Sequence, residues 1–135
     1  MSLAPVPAPS VLAGLKQALM PHAPFSAMSE RDLGRIVRSS RLRYFAPGET
    51  VLVPAPERPA HCYVIRQGTV RGERPGDVGD VAALFELTPG EMFPLGALLG
   101  HRGVTSVYRA ARDTFCLEFS TAVFDTLIAT SAVFQ

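Results

Sequence analysis

The residues that could carry out chemistry in this chain are few, and they form no catalytic or metal-binding pattern. No His-x-His pair with a downstream carboxylate occurs, which argues against a metal site in a chain with only three histidines, namely His22, His61 and His101. The sequence also contains no Gly-x-Ser-x-Gly elbow and no Cys–His arrangement of the kind that activates a nucleophile. We therefore predict that this chain is not an enzyme and needs no metal or other cofactor.

Two arginines in the C-terminal half are open to two interpretations. Arg102 and Arg109 are either solvated surface residues or contacts to an anion, for which a guanidinium supplies charge-assisted hydrogen bonds. Thr105 and Ser106 lie between them and either donate to a ligand or satisfy the local backbone. Binding of a small anion is therefore the chemistry that this region could support.

The two glutamates that follow prolyl-glycyl pairs and both cysteines have structural explanations. Glu49 and Glu91 each end a Pro-Gly-Glu turn, in which proline presets φ and glycine accepts a positive φ. Cys62 and Cys116 lie within apolar runs, so we expect buried, reduced thiols.

Composition limits the class of protein. A length of 135 residues with 47% hydrophobic residues fits one domain with a real core. The 13 basic and 12 acidic residues nearly cancel, which gives no electrostatic case for nucleic acid or an anionic membrane. No run approaches the roughly 18 apolar residues of a membrane span, and the proline-broken start lacks the basic region of a signal peptide. We expect a cytoplasmic protein.

The elements that must position these residues follow from periodicity. Residues 1–9 are predicted to be a flexible arm, and Ser10 can begin a first helix. Ser29 precedes a second helix with a buried stripe of Leu33, Ile36 and Val37. From residue 41 the period changes to that of strands, which are predicted at 41–45, 50–53, 61–66, 69–72, 81–87, 104–110 and 114–119.

A final helix follows Ser120, with Phe119 and Phe124 spaced as a hydrophobic staple. Helices, then many short strands, then a helix are typical of a roll or barrel. The predicted fold is mainly β with flanking helices: an antiparallel, jelly-roll-like β-roll of about eight strands, with N-terminal helices and a C-terminal helix.

The segment 94–100 is predicted to be one helical turn, with Pro94 at the first helical position. Such a turn leaves three N–H groups without internal partners, and Gly96 lets a ligand approach closely. We expect Leu98 and Leu99 to seal the roll. The N–H groups in question belong to Leu95, Gly96 and Ala97.

Residues 25–130 resemble the cyclic nucleotide-binding domain of catabolite-activator proteins, kinase regulatory subunits and gated channels. Four pieces carry the resemblance in the right order: Phe-Ala-Pro-Gly-Glu at 45–49, Cys-Tyr-Val-Ile-Arg-Gln-Gly-Thr-Val at 62–70, Leu-Thr-Pro-Gly-Glu-Met-Phe at 87–93 and Ala-Ala-Arg-Asp-Thr-Phe-Cys at 110–116. In that family a strand ends in Phe-Gly-Glu, a short helix follows, and an Arg-Ser/Thr-Ala segment comes next. The resemblance implies that the helix N-terminus and that arginine hold a cyclic phosphate, while the glutamate binds the ribose.

This sequence departs from the family pattern at the positions that matter most. Phe93 matches, but Pro94 replaces the glycine, Leu95 replaces the glutamate, and Val104 stands at the arginine position. We therefore expect weak binding of cyclic AMP and cyclic GMP, and an unusual ligand site. Its candidate residues are Phe93, Leu95, Gly96, Ala97, Arg102, Thr105 and Ser106.

The segments 93–99 and 108–116 are similar to a narrower bacterial group, in which this domain precedes CBS domains and a nucleotidyltransferase region. This similarity implies that residues 10–135 form the N-terminal sensor of a longer signal-transduction chain. Two hypotheses remain open. Either the domain binds a small, nucleotide-like ligand and signals to downstream domains, or it is an empty domain that serves homodimerisation or interdomain docking.

Overall fold

The computed structural model describes residues 30–76 and 83–130. The predicted arm at 1–9, the helix after Ser10 and the cap at Ser29 lie outside these residues. The described elements are α1 (Glu30–Ser39), β1 (Arg41–Phe45), β2 (Thr50–Leu52), β3 (His61–Gln67), β4 (Val70–Glu73), β5 (Phe85–Leu87), β6 (Met92–Phe93), α2 (Leu95–Gly100), β7 (Val107–Ala110), β8 (Thr114–Ser120) and α3 (Thr121–Thr130).

Within the described residues, the strands form two antiparallel sheets of four strands each. The first sheet has the order β1-β8-β3-β6, and the second has the order β2-β7-β4-β5. Strands that are distant in sequence therefore become neighbours, as they must when a chain winds into a roll. The predicted antiparallel β-roll with flanking helices is confirmed.

Two hydrophobic clusters lie on opposite faces of the first sheet. One lies between the sheets and includes Phe45, Ile65 and Cys116. The other lies between the first sheet and the helices, and it joins Leu117 and Phe119 to residues of α1 and α3. Because side chains alternate along a strand, β8 contributes Cys116 to one cluster and Leu117 to the other. This burial on both faces explains why the central residues of β3 and β8 are largely apolar.

Both Pro-Gly-Glu turns form as predicted. The N–H groups of Glu49 and Glu91 donate to the carbonyls of Ala46 and Thr88, over 2.9 and 3.1 Å. The preceding glycines have φ values of 84° and 93°, which glycine adopts without strain. Each glutamate carboxylate accepts a hydrogen bond from the N–H at the first turn position, over 3.0 and 2.6 Å. The structural interpretation of these two glutamates is confirmed.

The ends of several elements differ from their predicted positions. β7 begins at Val107 and not at residue 104, because the Val104 carbonyl instead accepts a hydrogen bond from the Ala55 N–H at 3.2 Å. β5 begins at Phe85, and residues 77–82 lie outside the described part. Ser120 caps α3 as predicted, since its hydroxyl accepts from the Val123 N–H at 3.2 Å.

A buried carboxylate joins β1 to the centre of the first sheet. Glu118 is only 5% exposed, and its two oxygens accept hydrogen bonds from Arg41 at 2.8 Å and Arg43 at 2.7 Å. Burial alone would raise the pKa of Glu118, but hydrogen bonds from Arg41 and Tyr63 and the charge of Arg43 together hold this pKa below its usual value. The ionised carboxylate therefore stabilises the folded state.

Replacing Glu118 by glutamine is expected to lower the free energy of unfolding at pH 7 by about 1–3 kcal/mol, because two guanidinium groups lose a charged partner. A carboxyl whose folded pKa is lowered contributes its stability above the unfolded pKa, near 4.3, and loses that stability as the pH falls through the folded pKa. Urea unfolding at pH 7 and pH 3 should therefore show a difference between wild type and Glu118→Gln that shrinks in acid. The exposed Glu86→Gln is the control, and a difference that is independent of pH would contradict the assignment.

Candidate functional site

The short helix α2 is held at both ends by backbone hydrogen bonds. Its first ladder bond runs from the Leu98 N–H to the Pro94 carbonyl at 3.1 Å. Its last turn ends at His101, which has left-handed φ and ψ of 51° and 46°, and the Arg102 N–H donates to the Ala97 carbonyl at 3.0 Å. The left-handed residue turns the chain so that Arg102 comes back alongside the helix.

The first turn of α2 differs in detail from the prediction. Pro94 is the N-cap and not the first helical residue. The N–H groups of residues 95–97 still precede the first ladder bond, so the helix itself supplies them with no acceptor. Leu95 and Gly96 are exposed, whereas Ala97 is buried. The accessible part of this turn is therefore the surface of Leu95 and Gly96.

Arg102 lies across the glycines of α2. A Cβ added at Gly96 would lie 3.2 Å from Nη2 of Arg102, and one at Gly100 would lie 3.4 Å from Nε. The Nη1 group donates to the Gly103 carbonyl at 3.2 Å, which holds the side chain in place. The structure thus brings together Arg102 and Gly96, two of the residues that the sequence selected.

Tyr108 belongs beside this group, although the sequence analysis did not select it. Burial raises the pKa of its hydroxyl, and the charge of Arg102 partly offsets this rise, so the two groups lie within each other's field. Strand alternation places Tyr108 on the same face as the buried Ala110. From the sequence, this alternation could have indicated that Tyr108 faces the interior, but it does not reveal that Arg102 lies nearby.

A stack of aromatic rings fills the space between the sheets beside α2. Phe93 is 1% exposed and stacks on Tyr63 with 5.2 Å between ring centroids, and on Tyr108 with 5.3 Å. Phe85 meets Tyr108 edge-on at 5.5 Å. Phe85 and Tyr108 flank Gly72 in register, and a Cβ on this glycine would overlap with the Phe85 ring. A ligand could touch the Phe93 ring only if this stack opened.

The other residues of interest, in α2 and in the segment that follows it, differ in exposure. Leu95 is 37% exposed, whereas Val104 is buried. Thr105 is exposed and Ser106 is half-buried in the segment that leads from α2 to β7. The expectation that Leu98 and Leu99 both seal the roll is correct for Leu98, which is fully buried, and wrong for Leu99, which is 55% exposed. A helix of six residues turns only one leucine of such a pair toward the core.

Arg109 has a structural role on the outer face of the second sheet. It pairs with Glu73 at 3.1 Å, and its Nη1 donates to the Gly48 carbonyl at 3.0 Å and to the Thr50 hydroxyl at 2.9 Å. These bonds hold the first Pro-Gly-Glu turn against β7 and β4. Of the two arginines that the sequence left open, only Arg102 lies against α2.

The two cysteines and the possible metal-ligating side chains form no reactive site in the described residues. Cys62 and Cys116 are free and buried, and burial raises the pKa of each thiol to about 12. Within residues 30–76 and 83–130, no three His, Cys, Asp or Glu side chains come together in a way that could hold a metal ion. In the same part of the chain, every helix is too short or too polar to cross a membrane.

Solved structures with the same fold include sensors and kinase regulators. The sensor domain of the transcriptional regulator DNR from Pseudomonas aeruginosa has a TM-score of 0.76 at 18% identity, covering 90% of this chain and 81% of that one. The regulatory subunit of a cAMP-independent protein kinase A from Trypanosoma cruzi, bound to guanosine, has a TM-score of 0.74 at 18% identity, with 88% and 42% covered. The regulatory domain of Toxoplasma gondii protein kinase A with cAMP has a TM-score of 0.74 at 15% identity, with 89% and 45% covered.

At these identities the structural likeness establishes the fold alone, and the chain spans less than half the length of the two kinase regulators. A search of curated proteins found no match. Residues 42–131 match the sequence profile of the cyclic nucleotide-binding domain, a profile of regulatory ligand sensors that are not enzymes. Because this match covers more than half of the chain, the chain belongs to the cyclic nucleotide-binding domain family.

Proposed function

We propose that this domain is the ligand-sensing module of a longer bacterial signal-transduction protein, and that it binds a small anionic, nucleotide-like ligand against α2. The observation that carries this proposal is the position of Arg102, whose guanidinium lies over Gly96 at the exposed turn of α2. Because Gly96 has no side chain, the guanidinium can lie close to the helix backbone at this exposed turn, where a bound anion could reach both. Thr105 and Ser106, in the segment that follows, supply hydroxyls on the other side of the ligand.

The site differs from the one that the family uses for cyclic nucleotides. Leu95 has no oxygen to accept a hydrogen bond from a ribose hydroxyl, and Val104 is buried and carries no charge. Arg102 comes from a different chain position, and its approach to α2 depends on the left-handed turn at His101. A ligand held mainly by Arg102 would therefore be oriented differently relative to α2 from a cyclic nucleotide held by the family's arginine.

Cyclic AMP and cyclic GMP are therefore expected to bind more weakly than about 100 µM, because the loss of a charged phosphate partner in a desolvated site costs several kcal/mol. Isothermal titration calorimetry of the 135-residue chain with each nucleotide checks this expectation. A dissociation constant below about 1 µM for either nucleotide, which is about a hundredfold tighter binding or more, would show that Leu95 and Val104 do not weaken the site.

A thermal-shift screen with cyclic nucleotides, AMP, guanosine and inorganic phosphate is the experiment that tests the proposal, since a binder raises the unfolding midpoint by mass action. Guanosine is included because it is bound in the Trypanosoma cruzi structure and carries no phosphate. We expect the anionic compounds to produce the larger shifts. If guanosine alone shifts the midpoint, the ligand is not held by the arginine.

For the tightest anionic binder of this panel, Arg102→Ala is expected to weaken binding by about 1–3 kcal/mol, the scale of a hydrogen bond to a charged group. Glu73→Ala is a control distant from α2 that should leave the affinity unchanged, because Glu73 pairs with Arg109 on the outer face of the second sheet. An unchanged affinity in Arg102→Ala would show that Arg102 is an ordinary surface residue.

The second candidate is an empty domain that acts through dimerisation or docking. The aromatic stack favours it, because Phe93, Tyr108 and Phe85 occupy the space between the sheets next to α2. The same screen separates the two candidates. A flat response to every compound, together with a concentration-dependent dimer in analytical ultracentrifugation, would support the second.

A further inference from the structure

The loop between β2 and β3, residues 53–60, packs against the segment that follows α2. The prolines at 54, 56 and 59 restrict the backbone of this loop. The Ala55 N–H donates to the Val104 carbonyl at 3.2 Å, and a Cβ on Gly103 would overlap with the Ala55 carbonyl oxygen. The loop and the end of the α2 region therefore lie in close backbone contact.

The same loop also holds the start of α3. The Thr121 N–H donates to the Ala60 carbonyl at 2.9 Å, and the Thr121 hydroxyl donates to the Pro59 carbonyl at 2.6 Å. One stiff loop thus contacts both the ligand side of the domain and its C-terminal helix.

Arg58 connects the two helices directly. Its Nη2 donates to the Leu98 carbonyl in α2 at 2.7 Å. Its two terminal nitrogens also bind the Asp125 carboxylate of α3, at 2.9 and 2.8 Å. The Leu98 carbonyl belongs to the last turn of α2, where carbonyls have no helical partner.

The geometry of Arg58 makes this more than an ordinary surface ion pair. The side chain of Arg58 is 20% exposed and that of Asp125 is 48% exposed. The distinguishing feature is that the planar guanidinium binds a carboxylate and a carbonyl at the same time, which an ammonium group does less well. The hydrogen bond from Arg58 also lowers the pKa of Asp125, so this carboxylate is ionised at neutral pH.

We propose that Arg58 is a positioning residue that couples α2 to α3, so that a displacement of the ligand-side helix is transmitted to the C-terminal helix through the shared guanidinium. The proposal extends the proposed function, because a ligand at α2 is what would displace that helix. Any coupling between two sites is reciprocal, so a change made in α3 must also alter the local stability of α2.

Amide hydrogen exchange of the unliganded 135-residue chain tests this coupling, because it needs no known ligand. The reporters are the amides of Leu98 and Arg102, which close the two ends of α2. Asp125→Asn, a change in α3, and Arg58→Lys, which keeps the charge but loses the fork, are each expected to raise exchange at both reporters about threefold or more. Unchanged exchange at these amides in both variants would overturn the proposal.

Arg109→Lys is the matched control, because Arg109 also holds three partners but contacts neither α2 nor α3. It should loosen β2 and leave both reporters unchanged. An equal rise in this control would show that the effect is global loss of stability, which also overturns the proposal. The two proposals can fail separately. A thermal-shift screen that finds no binder would contradict the proposed ligand site but not the coupling of α2 to α3. Unchanged exchange at the Leu98 and Arg102 amides would contradict the coupling but not the ligand site.

Discussion

Replacing Phe93 with alanine is expected to lower the free energy of unfolding by about 3–5 kcal/mol, which is the usual cost of deleting a buried aromatic ring. Phe93 lies between Tyr63 and Tyr108, and its removal breaks both ring contacts and leaves a cavity between the sheets. Because small domains are stable by only about 5–15 kcal/mol, the variant should be close to unfolding at moderate temperature. Urea unfolding followed by circular dichroism measures the loss.

Phe93→Leu keeps a buried apolar side chain in the same place. It should cost about 1–2 kcal/mol, since leucine fills part of the cavity but cannot stack. Comparing the stabilities of Phe93→Ala and Phe93→Leu shows whether Phe93 is a packed core residue or is available for contact with a ligand. If Phe93→Ala changes stability by less than about 1 kcal/mol, far below the cost for a packed ring, Phe93 is not part of the core and is free to contact a ligand.

Gly68→Ala is expected to cost about 2–5 kcal/mol, because two separate penalties add at this turn. Gly68 has a φ of 102°, which is strained for any residue with a Cβ. A Cβ here would also lie 2.5 Å from the Asp113 carbonyl oxygen and 2.7 Å from the Thr114 Cα. These neighbours are backbone atoms, so they cannot move aside cheaply.

Gly48→Ala isolates the first of the two penalties. Its φ is 84°, but a Cβ there meets nothing within 4 Å. The expected cost is therefore only the left-handed strain, about 1–2 kcal/mol. The difference in unfolding midpoint between the two alanine variants measures the close packing of the 67–68 turn against residues 113 and 114. Equal costs would contradict that close approach.

Local chemistry explains the features that were predicted correctly. The Pro-Gly-Glu turns close through the glutamate three residues after the first turn position, and the Ser120 cap reaches the N–H three residues ahead. Such interactions depend on a few neighbouring residues, so their sequence patterns are sufficient. The apolar alternation of strands is likewise local, and it predicted the bounds of β1 without error.

The candidate site could be predicted only in part. Arg102 was selected because it follows α2 closely in sequence, and the left-handed turn at His101 does bring it back onto the helix. By residue type alone, Arg109 was an equally good candidate for an anion contact, but its strand places it on the outer face of the second sheet, against Glu73. Which arginine meets α2 depends on the face to which each side chain points, and the registers of β4 and β7 decide this face for Arg109.

The sequence by itself determined the fold class, the two glycine turns, the cap of α3 and the absence of the family's glutamate and arginine, because each depends on residue type and short-range spacing. Only the tertiary structure decided that rings fill the space beside α2, that Tyr108 lies near Arg102, and that Arg58 bonds to both α2 and α3. Arg58 and Asp125 are 67 positions apart. Contacts of this kind arise when distant strands pair and bring their loops to one end of the roll, so no local pattern in the sequence encodes them.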